Sequence, residues 1–199
     1  METIRGKTSL ELTESDLQKQ LMGYKQILLD LGTGDGRYVR CRAKQHQDRF
    51  FIGVDACREN LLANSRRKLP NALFVIASAQ ALPHELNGLA THVTINFPWG
   101  SLLESLLVAD PALMNGLSFI SCLNAGVEIH LNGGALAEAG TTLEAGADQI
   151  YNNMLRSGWQ INAPVMMNAS ALRSFPSTWA KRLAFGRDPR AIHLSVQRE

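Results

Sequence analysis

The chain has 199 residues, 45% hydrophobic and 19% charged, which predicts one globular domain able to bury a full core without disulfides or a structural metal. Cys41, Cys57 and Cys122 stand too far apart for a disulfide scaffold or a zinc ribbon, and no apolar run reaches the roughly 18 residues of a membrane span. The net charge of +2 hides an asymmetry: residues 1–70 hold 13 Lys/Arg against 9 Asp/Glu, residues 71–160 one against seven, and residues 161–199 six against two. If the fold joins the ends, they form a positive face suited to nucleic acid. Scattered surface charge explains the same counts, and on charge alone it is the better explanation. Charges throughout the first 25 residues leave no signal-peptide core, so a cytoplasmic protein is expected.

In chain order, Ile4 to Leu12 predicts a short hairpin. Thr13-Glu14-Ser15-Asp16 reads as a helix N-cap with an acid at the third helical position, and Gly23 as the stop. Ile27–Leu31 is a short apolar run closed by Gly32, Gly34 and Gly36, the pattern of a buried parallel strand entering a tight turn. A helix over 37–47, a strand over 50–55 and a helix over 59–68 follow. Strands are expected at 73–77, 92–96, 127–131 and 159–166, and helices at 102–108, 112–123 and 147–156. Residues 132–146, rich in Gly and Ala, read as a loop. The alternation of strand and helix argues for an α/β sheet covered on both faces.

In such a sheet, ligands sit beyond the carboxyl ends of the strands. Asp30–Gly36 lies there, and its glycines let the backbone approach a ligand closely. A dinucleotide fingerprint would need glycine at Arg37, and a phosphate loop would need G-K-[ST]. The D-x-G-x-G-x-G present instead resembles the first motif of S-adenosylmethionine-dependent methyltransferases, whose cofactor offers an ammonium and a sulfonium rather than a phosphate. Asp55 ends the next strand, where a carboxylate accepts from ribose hydroxyls or caps the following helix. Ser78–Leu82 offers small residues beside an adenine. Trp99, on the turn Asn96-Phe97-Pro98-Trp99, is either a platform for a flat substrate or a core residue. His46, His84, His92, His130 and His193 show no metal-binding spacing and read as structural or exposed.

Two further segments make the resemblance specific. The sequence resembles the aminoglycoside-resistance methyltransferases that modify N1 of adenine 1408 in 16S ribosomal RNA. It does so over nearly the whole chain: in D-L-G-T-G-D-G-R at Asp30–Arg37, F-P-W-G at Phe97–Gly100 and W-A-K-R-L-A-F-G-R at Trp179–Arg187. The resemblance implies a Rossmann-like class I sheet of seven mostly parallel strands with helices on both faces. It also implies S-adenosyl-L-methionine as cofactor, the small ribosomal subunit as partner, a monomeric state and no metal. Trp99 and Trp179 would hold the flipped adenine, with Ser177 and the backbone of Phe97 nearby. Asp30, Gly32, Gly34, Gly36, Asp55, Ala79, Gln80, Asn96 and Ser101 would surround the cofactor. Arg66, Arg67, Lys68, Lys181, Arg182, Arg187 and Arg190 would grip the RNA backbone.

Two features depart from the family. Residues 132–148 are short and acidic, without the basic residues usual there, which leaves open a ribosome-binding relative with weak catalysis. Asn96 stands where an apolar residue is expected and makes the turn similar to the N-P-P-W motif of enzymes that methylate exocyclic amines. Transfer to an adenine N6 is therefore the alternative.

Overall fold

The computed structural model describes residues 1–186 and 188–198, so Arg187 lies outside the described residues. The expected hairpin is present as β1 (Glu2–Arg5) and β2 (Thr8–Glu11), followed by α1 (Glu14–Leu21), whose first turn is capped by the Thr13 hydroxyl accepting from the Asp16 N–H. Then β3 (Ile27–Leu31), α2 (Arg37–Gln45), β4 (Phe50–Asp55), α3 (Arg58–Ser65) and β5 (Ala72–Ile76) alternate as expected. A single 3-10 turn precedes β6 (Ala90–Asn96), and α4 (Gly100–Val108) and α5 (Pro111–Ile120) follow it.

The second half departs from the sequence-based expectation in four places. The helix expected over 112–123 stops at Ile120, because Ser121 is both its C-cap and the first residue of the twelve-residue strand β7 (Ser121–Asn132). The loop expected over 132–146 is α6 (Gly133–Glu138) and the first turn of α7 (Leu143–Arg156). Asn132 and Thr142 cap them, accepting from the N–H groups of Ala135 and Ala145, the ordinary use of Asn and Thr at helix starts. The strand expected over 159–166 is split into β8 (Trp159–Ile161) and β9 (Val165–Met167), with Pro164 in the gap, a residue that cannot donate to a ladder. Finally α8 (Ala169–Ser174), α9 (Thr178–Ala184) and β10 (Ala191–Arg198) occupy a stretch for which no element was expected.

One sheet of ten strands joins these elements in the order β2-β1-β5-β4-β3-β6-β7-β10-β8, with β9 also paired to β10. The seven-strand expectation corresponds to the run from β5 to β8; the hairpin extends it antiparallel to β5, and β9 shares the edge of β10 with β8. Pairings from β5 through β7 are parallel, and β10 runs antiparallel to β7.

Alternation along the strands sorts side chains to two faces. Leu29, Leu31, Phe50, Ile52, Val93, Ile95, Val127, Ile129 and Leu194 bury one face under α1 and α4 to α7. Leu28, Phe51 and Phe74 face α2 and α3. A third apolar cluster, of Phe97, Leu172, Ala180, Ala184 and Ala191, seats α8 and α9 beside the ends of β6 and β10. On the face shared with Leu28, the middle strands carry polar residues: Asp30, then Thr94 and Asn96, then Glu128 and His130, then His193. The chain's chemistry is concentrated along this strip.

Candidate active site

A cleft of about 530 Å³ opens at the carboxyl ends of β3, β4, β5 and β6, within the range of small-molecule sites. Its floor is the turn after β3. Gly32, Gly34 and Gly36 all have positive φ, at +66°, +57° and +71°, but for different neighbours. A Cβ on Gly32 would lie 2.6 Å from Leu102, and one on Gly36 would lie 2.5 Å from the Phe74 ring. A Cβ on Gly34 meets nothing within 4 Å and points into open space. Gly36, expected near the cofactor, is the N-cap of α2 and packs on Phe74, while Gly32 and Gly34 line the cleft.

Asp30 is buried under the turn. Its carboxylate accepts from the hydroxyls of Thr33 (2.5 Å) and Thr94 (2.7 Å) and from the Asn96 amide (2.8 Å). Burial pushes its pKa up to about 6; the three hydrogen bonds oppose this, and the nearby Asp55 charge adds to it. At neutral pH it is an acid held ionised at a cost, an arrangement expected where a cation will be received. Asn96 donates from its amide to Asp30, and its buried Oδ1 has no hydrogen-bond partner among the described residues while the residue lines the cleft.

Asp55 lies at the edge of the cleft, and the N-cap position of α3 is Cys57 rather than Asp55. Its Oδ2 accepts from the Gly34 N–H (2.7 Å), and its Oδ1 accepts from the Cys57 N–H (2.9 Å) and the Asn60 amide (3.2 Å). It therefore fixes the glycine turn and the start of α3; three of its roughly four acceptor sites are taken, and the remaining one is on Oδ2 of a residue that lines the cleft. Ala79, Gln80 and Ser101 also line the cleft. The Gln80 amide donates to the Ser105 hydroxyl (3.0 Å) and the Ser101 carbonyl (3.2 Å), which ties the loop after β5 to α4.

At the mouth stand the two tryptophans. Trp99 is 45% exposed at the N-cap of α4, and Trp179 is 47% exposed in the first turn of α9. Neither is a core residue. Their rings face each other with centroids 5.8 Å apart and planes inclined by 19°, and Arg182 lies 5.4 Å over the Trp179 ring. Phe97 also lines the cleft but, unlike Trp99, its side chain is buried against His130 and Phe175. It holds φ +54°, uncommon for a bulky residue, and its N–H donates to the His130 carbonyl at 2.8 Å. Ser177 caps α9, accepting from the Ala180 N–H at 3.0 Å, and lines the cleft.

Thr178, unremarked in the sequence although it lies between two named residues, donates its hydroxyl to Asp35 at 2.7 Å and so joins α9 to the glycine turn. Phe175 was also missed; its ring contacts Tyr38, Phe97 and His130. No local pattern marks either residue, because their partners lie far away in sequence.

The basic residues divide. Arg66, Arg67 and Lys68 are exposed just after α3, and Lys181 is exposed on α9. Arg182 belongs to the cleft wall. Arg190, expected to grip RNA, is exposed and is ion-paired with Asp188 (2.9 Å) and Glu144 (3.0 Å). No single helix among the described residues is long and apolar enough to cross a membrane.

Comparison with known proteins agrees with this geometry. The family model described as NpmA, 16S rRNA (adenine(1408)-N(1))-methyltransferase, matches residues 2–198. A 16S rRNA (adenine(1408)-N(1))-methyltransferase of Escherichia coli is 30% identical over 202 residues, covering 92% of each chain. The crystal structure of the antibiotic-resistance methyltransferase Kmr superposes with a TM-score of 0.81 at 32% identity, over 100% of this chain and 98% of that one. A mutant 16S rRNA (adenine(1408)-N(1))-methyltransferase from Catenulisporales acidiphilia, solved with cosubstrate SAM, shares the fold at 24% identity and a TM-score of 0.86, over 100% and 96% of the two chains. With its seven-strand run, its acid-and-glycine turn and its facing tryptophans, this chain belongs to the family of 16S rRNA (adenine(1408)-N(1))-methyltransferases.

Proposed function

We propose that this chain transfers a methyl group from S-adenosyl-L-methionine to N1 of adenine 1408 in the 16S RNA of the small ribosomal subunit. The observation that carries the reading is the pair of exposed tryptophans across the mouth of a cleft floored by Asp30 and Gly34. The residues present fit the cofactor: the buried acid suits an ammonium, Asp55 suits ribose hydroxyls, the open side of Gly34 admits a ligand against the backbone, and the orphaned Asn96 Oδ1 awaits a donor. Bound there, the cofactor supplies an electrophilic methyl on a sulfonium.

What the protein adds is placement. Adenine N1 carries its own lone pair, so no strong base is needed, and correct alignment alone is worth ~7–11 kcal/mol. Drawing the base out of its stack costs a few kcal/mol, which contacts with Trp99 and Trp179 offset at ~1–3 kcal/mol per stacked face. The rings must first part. A base between them needs two stacking gaps of ~3.5 Å each, about an ångström more than the 5.8 Å between their centroids.

In this reading Arg66, Arg67, Lys68 and Lys181 hold the RNA backbone, and one domain acts as a monomer in the cytoplasm. Aminoglycoside resistance is the consequence of the mark. Labelled cofactor incubated with intact small subunits, whole ribosomes and naked 16S RNA tests it. The expected result is label in the subunits and a reverse-transcriptase stop at the target adenine. The free Asn96 Oδ1 favours a second reading, transfer to an exocyclic amine, because it can accept from an amino group. N6-methyladenosine as the direct product in digested RNA would establish that reading instead.

A further inference from the structure

The polar strip continues past the cleft. Glu128 and His130 are two residues apart on β7 and so share a face, and His193 of β10 stands directly opposite His130 in the antiparallel register. This arrangement, two positions on one strand and the cross-strand neighbour of one of them, brings three side chains together. One ligand atom from each lies within 4.8 Å of the other two. His130 is only 5% exposed, and among the described residues its buried Nδ1 has no hydrogen-bond partner, nor has the buried Nε2 of His193. Two orphaned ring nitrogens beside a carboxylate are costly to keep and demand an explanation.

We propose that Glu128, His130 and His193 form a binding site for a divalent transition-metal ion of the zinc type, separate from the methyl-transfer cleft. Two imidazoles and one carboxylate match zinc's preference for nitrogen with some oxygen, whereas calcium and magnesium take all-oxygen shells. None of the three residues lines the cleft. Glu128 and His193 are partly exposed, so the ion has an entry and keeps a coordination position for water. The two rings stack at 4.6 Å and 10°, so coordination by both requires one to turn, and His193, the more exposed, is the one that does.

A supporting partner is also in place. His92 on β6 approaches Glu128 at 3.6 Å, and it crosses the space above Gly126, where a Cβ would lie 2.8 Å from its Nδ1. Such a neighbour orients a ligating carboxylate. The ion would brace β7 against β10 directly behind Phe97, whose N–H donates to the His130 carbonyl. Its role is therefore structural, and the site does not depend on the methyl-transfer reading.

The test uses the full chain, stripped with a chelator and titrated with Co²⁺ as a spectroscopic probe and then Zn²⁺ in competition. Visible bands of low-symmetry Co²⁺ saturating at one ion per chain are expected, together with a Zn²⁺-dependent rise in melting temperature. His193→Gln and Glu128→Gln, at partly exposed positions, should each weaken binding at least ~10-fold and abolish the thermal shift. His84→Gln, on an exposed histidine elsewhere, should change neither. Absence of the bands in the wild-type chain overturns the site, as does equal affinity in His193→Gln.

Discussion

Gly34 and Gly36 stand two residues apart, both at positive φ, yet their side-chain positions meet opposite surroundings. Gly34→Val should leave the fold largely intact, at the ~1–2 kcal/mol cost of a left-handed non-glycine residue, and abolish cofactor binding in calorimetry. Gly36→Ala drives a methyl into Phe74 and should lower the melting temperature more than Gly34→Val does. Equal cofactor loss at equal stability in both variants would refute this division. Asp30 makes a second pair of effects. Its folded pKa of about 6 exceeds the ordinary 3.8, so its contribution to stability is fullest below pH ~4 and is lost as pH rises through ~6. Asp30→Asn keeps acceptors for Thr94 and Asn96 and removes the buried charge. It should therefore stabilise the protein at pH 7 by at most about 2–3 kcal/mol, while cofactor affinity drops. Wild-type affinity for the cationic cofactor should rise between pH 5 and 7, and a flat profile would exclude Asp30 as its counter-charge. The acid and the glycines were legible because this chemistry is local in sequence. The separate duties of the three glycines were not, because they depend on Leu102 and Phe74, which lie tens of residues away.

At the scale of elements, α9 decides whether the tryptophan pair can work. It rests on the Phe97 cluster, is capped by Ser177, and is tied to the glycine turn through Thr178 and Asp35. Thr178→Val removes that tie at roughly 1 kcal/mol. The expected readout is faster amide exchange confined to α9 with an unchanged global melting temperature; unchanged exchange would show that the cluster alone holds the helix. Trp99→Ala and Trp179→Ala should each reduce methylation by the ~1–3 kcal/mol of a lost stack or more, with cofactor affinity preserved and Trp→Phe partly active. If either alanine variant melts far lower and regains activity on cooling, its ring is a packing element. The strands β3 to β6 could be read in advance from short, largely apolar runs, of which β3 and β4 are closed by Gly32 and Asp55. The elements α6, α8, α9 and β10 could not. The helices have short, alanine-rich apolar faces and are secured by capping at Asn132, Asn168 and Ser177, while β10 is secured by pairing with β7, whose partner residues are about 60 positions distant. The same distance hid the Glu128, His130 and His193 cluster, because no linear spacing connects the two strands.

For the whole molecule, the uneven charge of the sequence becomes a question of which cations are free. Arg190 is held between Asp188 and Glu144, and Arg182 lies over Trp179. The segment 132–148, lacking Lys and Arg, is folded into α6 and α7 rather than extended as a basic arm. On the proposed reading, Arg66, Arg67 and Lys68, exposed together after α3, are the cations expected to carry affinity for the ribosomal subunit. Each phosphate contact releases counterions, so the slope of log affinity against log salt changes by ~0.7–0.9 per contact. Arg66→Ala and Arg67→Ala should each flatten that slope by about that amount and weaken subunit binding, most at low salt, without altering cofactor affinity. Arg190→Ala should leave the slope unchanged, because its charge is balanced within the protein; any loss there should appear as lower stability. A slope that responds to Arg190 and ignores Arg66 and Arg67 would place the RNA-binding face on the opposite end of the sheet and would detach the basic N-terminal half from recognition.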